Sequence, residues 1–319
     1  MNMNEAREIK LRQMRAKRRR VVRLQKMILS ASLAVMVCFA GGMHLLLNKS
    51  TGSFIARQAA DKNPKTASSS IQILGNAHTE LEKAASVALA NSGMKTIAHR
   101  GFSSAAPENS LAAFELAAQS GTWGIETDVW RTSDGEYVCM HDGSMDRMTN
   151  MGGNISGLTL SQISGAVIDH GSGIDTYPNQ KVPTLREYLE LCSQYGINAV
   201  LDIKFSDISY LDGMIEIVRE CSMEGASIAL TNLDFMKRIR ELSSTMQVQY
   251  LVDNATAEAI DAAAAIERSG IAASSITPEL IDYAQEKGLM INVWTYNSPE
   301  DKARWKELNV DYLTTDTVA

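Results

Sequence analysis

The chain has 319 residues, 45% of them hydrophobic and 21% charged, the balance of a globular protein with room for one large domain or two ordinary ones. Ten of its 31 Lys and Arg fall within residues 1–26 against only Glu5 and Glu8, so the remainder holds 21 basic and 35 acidic residues. That acidic body argues against a nucleic-acid-binding surface. Its four scattered cysteines, with no C-x-x-C pair, argue against a thiolate metal site or a disulfide framework, and Cys139, Cys192 and Cys221 read as core residues.

Residues 1–26 form a basic cytoplasmic segment. Directly after it, Met27 to Leu47 is an uncharged apolar run of 21 residues. At about 1.5 Å rise per residue such a run crosses a hydrocarbon core of roughly 30 Å, and the preceding cations stay in the cytoplasm. The reading is a single-pass transmembrane helix with the rest of the chain extracytoplasmic. A cleaved signal peptide, which would make the protein secreted, is the rival, since Ala40-Gly41-Gly42 offers small residues for processing. The long basic head and the lack of an A-x-A site favour retention. Residues 48–93 read as a tether followed by a weakly amphipathic packing helix, Ile71 to Asn91.

From Met94 on, short apolar runs alternate with helical stretches. The predicted strands are Thr96–His99, Gly124–Val129, Tyr137–His141, Asn198–Ile203, Ser227–Leu230, Val248–Val252, Gly270–Ala273, Met290–Thr295 and Asp311–Thr314. Helices are predicted at 110–119, 184–195, 211–221, 234–242, 278–287 and 299–308, among others. Repeated alternation of this kind gives a parallel sheet, and eight units give a closed (β/α)8 barrel of the TIM type. Nine strands are one too many. The gap from Val129 to Tyr137 is too short for a crossover helix and contains Asp134-Gly135, a hairpin signal, so the third strand is the return arm of a hairpin after the second. A turn centred there, pairing residues whose numbers sum to about 267, sets Glu126 opposite His141 and Asp128 opposite Cys139. Residues 143–182 hold no barrel unit beyond a short helix at 159–163. They are expected to fold over the active face and shape the leaving-group pocket, with Met145, Met148 and Met151 as adaptable packing.

Within 44 residues the chain carries His99-Arg100-Gly101, Pro107-Glu108-Asn109-Ser110, Glu126-Thr127-Asp128 and His141-Asp142. An acid/base pair, two metal-type carboxylates and a phosphate-type arginine suit metal-assisted cleavage of a phosphodiester. Glu126 and Asp128, two apart on a strand, point the same way, as do Asp202 and Lys204 at the end of another. Three carboxylates without thiolates suit a hard divalent ion such as Ca²⁺ or Mg²⁺. Trp294 reads equally as substrate contact or packing, and Asn109 as substrate contact or helix cap. His44, His78 and His170 read as structural.

These motifs, with Val182-Pro183-Thr184-Leu185, Leu201-Asp202-Ile203-Lys204, Val293-Trp294-Thr295-Tyr296-Asn297 and Thr315-Asp316, resemble the glycerophosphodiester phosphodiesterase family in order and spacing over residues 94–319. The resemblance implies a divalent cation held by Glu126, Asp128 and Asp202, with His99 and His141 as acid/base pair. It also implies Arg100 and Lys204 on the phosphate and Trp294 beside the substrate. The family's third metal ligand is usually Glu, and here it is Asp202. The expected activity is hydrolysis of glycerophosphodiesters to an alcohol and glycerol 3-phosphate at the outer face of the membrane. The alternatives are a phospholipase acting on intact lipid and a non-catalytic sensing barrel.

Overall fold

The computed structural model describes residues 93–318. The basic segment, the apolar run at 27–47, the tether, the packing helix and His44 and His78 lie outside the described residues. Among those described, no helix is long and apolar enough to cross a membrane.

Among the described residues there are nine strands: β1 Lys95–Ala98, β2 Gly124–Arg131, β3 Tyr137–Cys139, β4 Asn198–Ile203, β5 Ser227–Thr231, β6 Gln247–Asn254, β7 Ser269–Ser275, β8 Met290–Val293 and β9 Tyr312–Thr315. All except β3 are parallel, each pairs with the next around the sheet, and β9 pairs back onto β1. The result is the eight-stranded barrel expected from the alternation. The α-helices are α1 Leu111–Gln119, α2 Leu160–Ile163, α3 Leu185–Tyr195, α4 Leu211–Glu220, α5 Leu233–Leu242, α6 Ala257–Ala264, α7 Pro278–Glu286 and α8 Pro299–Glu307. Hydroxyl or amide side chains at Ser110, Thr184, Asn232, Thr256, Thr277 and Ser298 accept from first-turn N–H groups, which fixes where helices leave the loops at the strand C-terminal ends.

The barrel buries two separate apolar sets. One lies between strands and helices and includes Phe114, Ile125, Tyr188, Met214 and Trp305. The other fills the barrel interior with Ile97, Val200, Ile228, Leu230, Ala272 and Tyr312. Because strand side chains alternate, β4 serves both sets, with Ala199 and Leu201 in the outer one and Val200 in the inner one, whereas β2 gives Ile125 and Val129 to the outer set and turns Glu126 and Asp128 to the opposite face. Cys139 and Cys192 are buried in the outer set and Cys221 is half-buried, so the cysteines are packing residues.

The hairpin forms, with a register one residue from the expected one. Val129 faces Cys139 and Arg131 faces Tyr137, and the Met140 amide donates to the Asp128 carbonyl. Glu126 is therefore not opposite His141, nor Asp128 opposite Cys139. The turn runs from Thr132 to Glu136 as an odd-numbered loop about Asp134, closed by Thr132 Oγ1, which donates to Asp134 Oδ1 at 2.6 Å and accepts the Glu136 N–H at 2.9 Å. A hydroxyl that replaces a backbone turn bond shifts register in this way.

Residues 143–182 build a small core from Met145, Met148, Ile155, Ile163, Ile168 and Val182 against Val138 and Met140 of the hairpin arm, with Met151 at its margin. α2 starts in a capping box between Thr159 and Gln162. This segment lies directly on the loop between β1 and α1. A Cβ at Gly173, where φ is 62°, would come within 2.1 Å of the Ala105 carbonyl oxygen.

Candidate active site

Three carboxylates meet where β2 and β4 end. Glu126 and Asp128 alternate along β2, and the parallel register sets Asp128 directly beside Asp202. One oxygen from each lies within 4.8 Å of the others, and all three groups are buried. Burial first, then the Asp128 charge, pushes the Glu126 carboxyl up to about 8, with Asp202 adding to the effect. For Asp128, burial acts upward but Lys204 and Arg100 outweigh it, and the net direction is down. Asp202 is raised by burial, with Lys204 offsetting only part. Three acids crowded together out of water form an all-oxygen donor set that could hold a hard divalent ion.

Cationic side chains already partner two of the acids. Lys204 Nζ lies 3.1 Å from Asp128 Oδ1 and 2.7 Å from Asp202 Oδ2. Arg100 donates its backbone N–H to Glu126 Oε2 at 2.8 Å, and its Nε stands 3.5 Å from Asp128 Oδ2. The backbone reaches this position because Arg100 has φ 56° and Gly101 follows at φ 80°. A Cβ at Gly101 would lie 2.6 Å from the Ala113 carbonyl carbon, so only glycine lets the turn pack on α1.

Each histidine is tied through Nδ1 to a carboxylate. His99 follows β1, and closure of β1 on β9 sets it beside Asp316, whose Oδ1 accepts from Nδ1 at 2.7 Å. Asp316 is fixed in turn by Ser103 Oγ at 3.0 Å and Asn297 Nδ2 at 2.7 Å. His141 Nδ1 lies 2.7 Å from Asp142 Oδ1. An ionised carboxylate can only accept, so Nδ1 carries the hydrogen and Nε2 is left for chemistry in both rings. Burial pulls the His99 imidazole down, but the Asp316 hydrogen bond and the Glu126 charge outweigh it and the net direction is up. His99 directly precedes Arg100, whose backbone N–H is bound by Glu126, so the first histidine stands next to the acid cluster in the chain.

The sequence profile of the glycerophosphoryl diester phosphodiesterase family matches residues 99–319. The chain belongs to that family. Membership places it among the phosphoric diester hydrolases. It is 30% identical over 232 residues to a glycerophosphodiester phosphodiesterase of Caldanaerobacter subterraneus, a match covering 70% of this chain and 95% of the relative. It is 31% identical over 238 residues to one of Bacillus altitudinis, covering 70% and 94%. Among solved structures, a phosphodiesterase of Oleispira antarctica in complex with the product sn-glycerol-3-phosphate superposes with a TM-score of 0.65 at 25% identity, over 71% of this chain and 95% of that one.

Of the residues expected at the site, Glu126, Asp128, Asp202, Lys204 and Arg100 are brought into contact with one another, and His99 and His141 are each held by a carboxylate of their own. Asn109 does something else. Ser110, not Asn109, caps α1. Asn109 is 1% exposed. Its Nδ2 donates to Asp128 Oδ2 at 2.8 Å and its Oδ1 accepts from Thr127 Oγ1 at 2.7 Å. The amide is thus engaged in holding an acid rather than turned to a ligand. Trp294 packs against the barrel-interior set, and its Nε1 is buried without a protein acceptor. His170 is exposed and pairs with Asp169.

Sequence reasoning assigned no role to Asp316, Glu108 or Arg147, which also reach the site. Asp316 and Glu108 lay within quoted motifs, and Arg147 lay in the insertion without a visible signal. A hollow of about 720 Å³ opens on the same face, lined by Ser206, Asp207, Asn232, Leu233, Asp234 and Tyr250, two residues beyond Lys204. The insertion, expected over the active face, lies on the β1–α1 loop that carries Arg100 and Glu108, and this hollow lies by the loops after β4 and β5.

Proposed function

We propose that the chain hydrolyses glycerophosphodiesters to an alcohol and glycerol 3-phosphate, with a divalent ion, Ca²⁺ or Mg²⁺, held by Glu126, Asp128 and Asp202. The observation that carries this reading is the cluster of three buried acids within 4.8 Å of one another, partnered by Arg100 and Lys204, in a chain whose two motif histidines are each anchored through Nδ1. When bound, the ion supplies positive charge against the phosphate oxygens. Arg100 and Lys204 bind those oxygens from beside the acids they now neutralise. One Nε2 takes the proton of the attacking oxygen as its bond to phosphorus forms. The Nε2–H of the other ring protonates the departing alkoxide as the second phosphorus–oxygen bond breaks. Trp294, with an unpartnered N–H, is assigned to the substrate's rim, and the hollow beyond Lys204 to the head group. Asn109 is reassigned from substrate contact to orienting Asp128.

The purified full-length chain should release glycerol phosphate from glycerophosphocholine, lose activity in chelator, regain it with Ca²⁺ or Mg²⁺, and lose it in His99→Ala. Activity indifferent to both chelator and His99→Ala would overturn the mechanism. Substrates without a hydroxyl beside the phosphate separate attack by water from attack by that hydroxyl through a cyclic phosphate. Residues 27–47 are proposed to anchor the protein with its barrel outside the cytoplasm, as their length and the preceding cations support. Release of the intact chain from membranes by alkaline wash would refute that placement.

A further inference from the structure

Arg147 stands at the start of the insertion and is about half exposed. It faces two carboxylates at once. Its Nε donates to Asp142 Oδ2 at 2.5 Å, and its Nη2 lies 3.3 Å from Asp142 Oδ1 and 2.6 Å from Glu108 Oε1. The same two Nη2-facing oxygens also lead inward. Asp142 Oδ1 is the partner of His141 Nδ1, and Glu108 Oε1 also accepts from Arg100 Nη1 at 3.1 Å. The guanidinium of Arg147 also meets its neighbour Met148, which is 3% exposed in the insertion core and whose sulfur lies 3.0 Å from Nη1.

We infer that Arg147 is a positioning residue that locks His141 and Arg100 into one arrangement, using its planar fork to hold Asp142 on one side and Glu108 on the other. The insertion thereby takes part in catalysis as well as covering the face. A guanidinium suits the task because its donors are rigidly spaced and it grips two carboxylates at fixed angles, whereas an ammonium is a single point charge. Without that fork, Asp142 turns freely, and the His141 ring it holds loses the orientation of its Nε2. Half-exposed ion pairs of this kind contribute little to folding, so the effect belongs in turnover rather than stability.

The inference rests on His141 acting as an acid/base group. His141→Ala with wild-type turnover would refute that reading by itself, whatever Arg147 does. The test is a double-mutant cycle on glycerophosphocholine hydrolysis by the full-length chain with saturating Mg²⁺ or Ca²⁺. Arg147→Met is expected to lower kcat about 100-fold with KM changed less than about threefold, and Asp142→Asn to lower it similarly. The double variant should fall no further than Asp142→Asn alone, because both changes release the same ring. Arg147→Lys, which keeps the charge and not the fork, should lie between, and provides the test should the Met variant fold poorly. Losses that multiply in the double variant, or a raised KM with kcat intact, would overturn the inference.

Discussion

Replacing Glu126 with Gln should make the metal-free protein more stable, although it removes an acid from the centre of the site. Glu126 is 2% exposed, and burial together with Asp128 holds its carboxyl up to about 8, against an ordinary value of 4.5. Below pH 4.5 folded and unfolded chains both carry the proton, and the side chain does not disfavour folding. As pH rises toward 8 the unfolded chain releases that proton and the folded chain keeps it, so stability is lost across this window. At about 1.4 kcal/mol per pH unit, the three units from pH 5 to pH 8 amount to on the order of 4 kcal/mol. Gln is neutral throughout and retains the oxygen that accepts the Arg100 N–H. In chelator, Glu126→Gln should therefore melt with the wild type at pH 5 and roughly 10 °C above it at pH 8. Addition of Ca²⁺ or Mg²⁺ at pH 8 should raise the wild type and leave the variant nearly unmoved, because the ion replaces the proton only where the carboxylate exists. Differential scanning calorimetry at the two pH values reads all of this. A variant no more stable than the wild type at pH 8 in chelator would refute the charge-crowding argument for a cation site.

Asn109→Ala leaves Thr127 Oγ1 and Asp128 Oδ2 buried without their partner, and should cost about 2–4 kcal/mol in thermal or denaturant unfolding and weaken divalent-ion binding by about 10- to 100-fold in titration calorimetry. Asp202→Glu restores a methylene and should tighten divalent-ion binding in the same titration, and weaker binding would show that Lys204 and Asp128 are arranged for the shorter acid. Asp316→Asn keeps an acceptor for His99 Nδ1 but removes the charge, so kcat should fall by about 10- to 1,000-fold. Because Asp316 helps hold the imidazole up against burial, the limb of the pH–rate profile that His99 governs should move to lower pH, and an upward shift would contradict the pairing.

Much of the barrel was legible because its determinants are local. The runs at β2, β4 and β8 and the capped helices between strands are patterns a few residues long, and eight of them in alternation have few ways to bury both faces. The metal-type acids were legible for the same reason, since Glu126 and Asp128 share a face by strand alternation alone. The hairpin was found and its register missed by one. That register depends on whether Thr132 Oγ1 substitutes for a backbone turn bond, a choice between nearly equal geometries that the Asp134-Gly135 signal does not encode.

The chain by itself determined the alternation, the face shared by two acids and the residue types that move protons and neutralise phosphate. Tertiary structure decided which carboxylate each charged group meets. Asp316 is 217 positions from His99 and becomes its neighbour only when β9 closes on β1. Glu108 and Arg147 meet 39 positions apart only because the insertion lies on the loop between β1 and α1. Asn109 turns to Asp128 because Ser110 already caps the helix. Local periodicity fixes the direction of a side chain along its own strand or helix, while the partner at its tip is set by barrel closure and loop packing, which no short window of sequence contains.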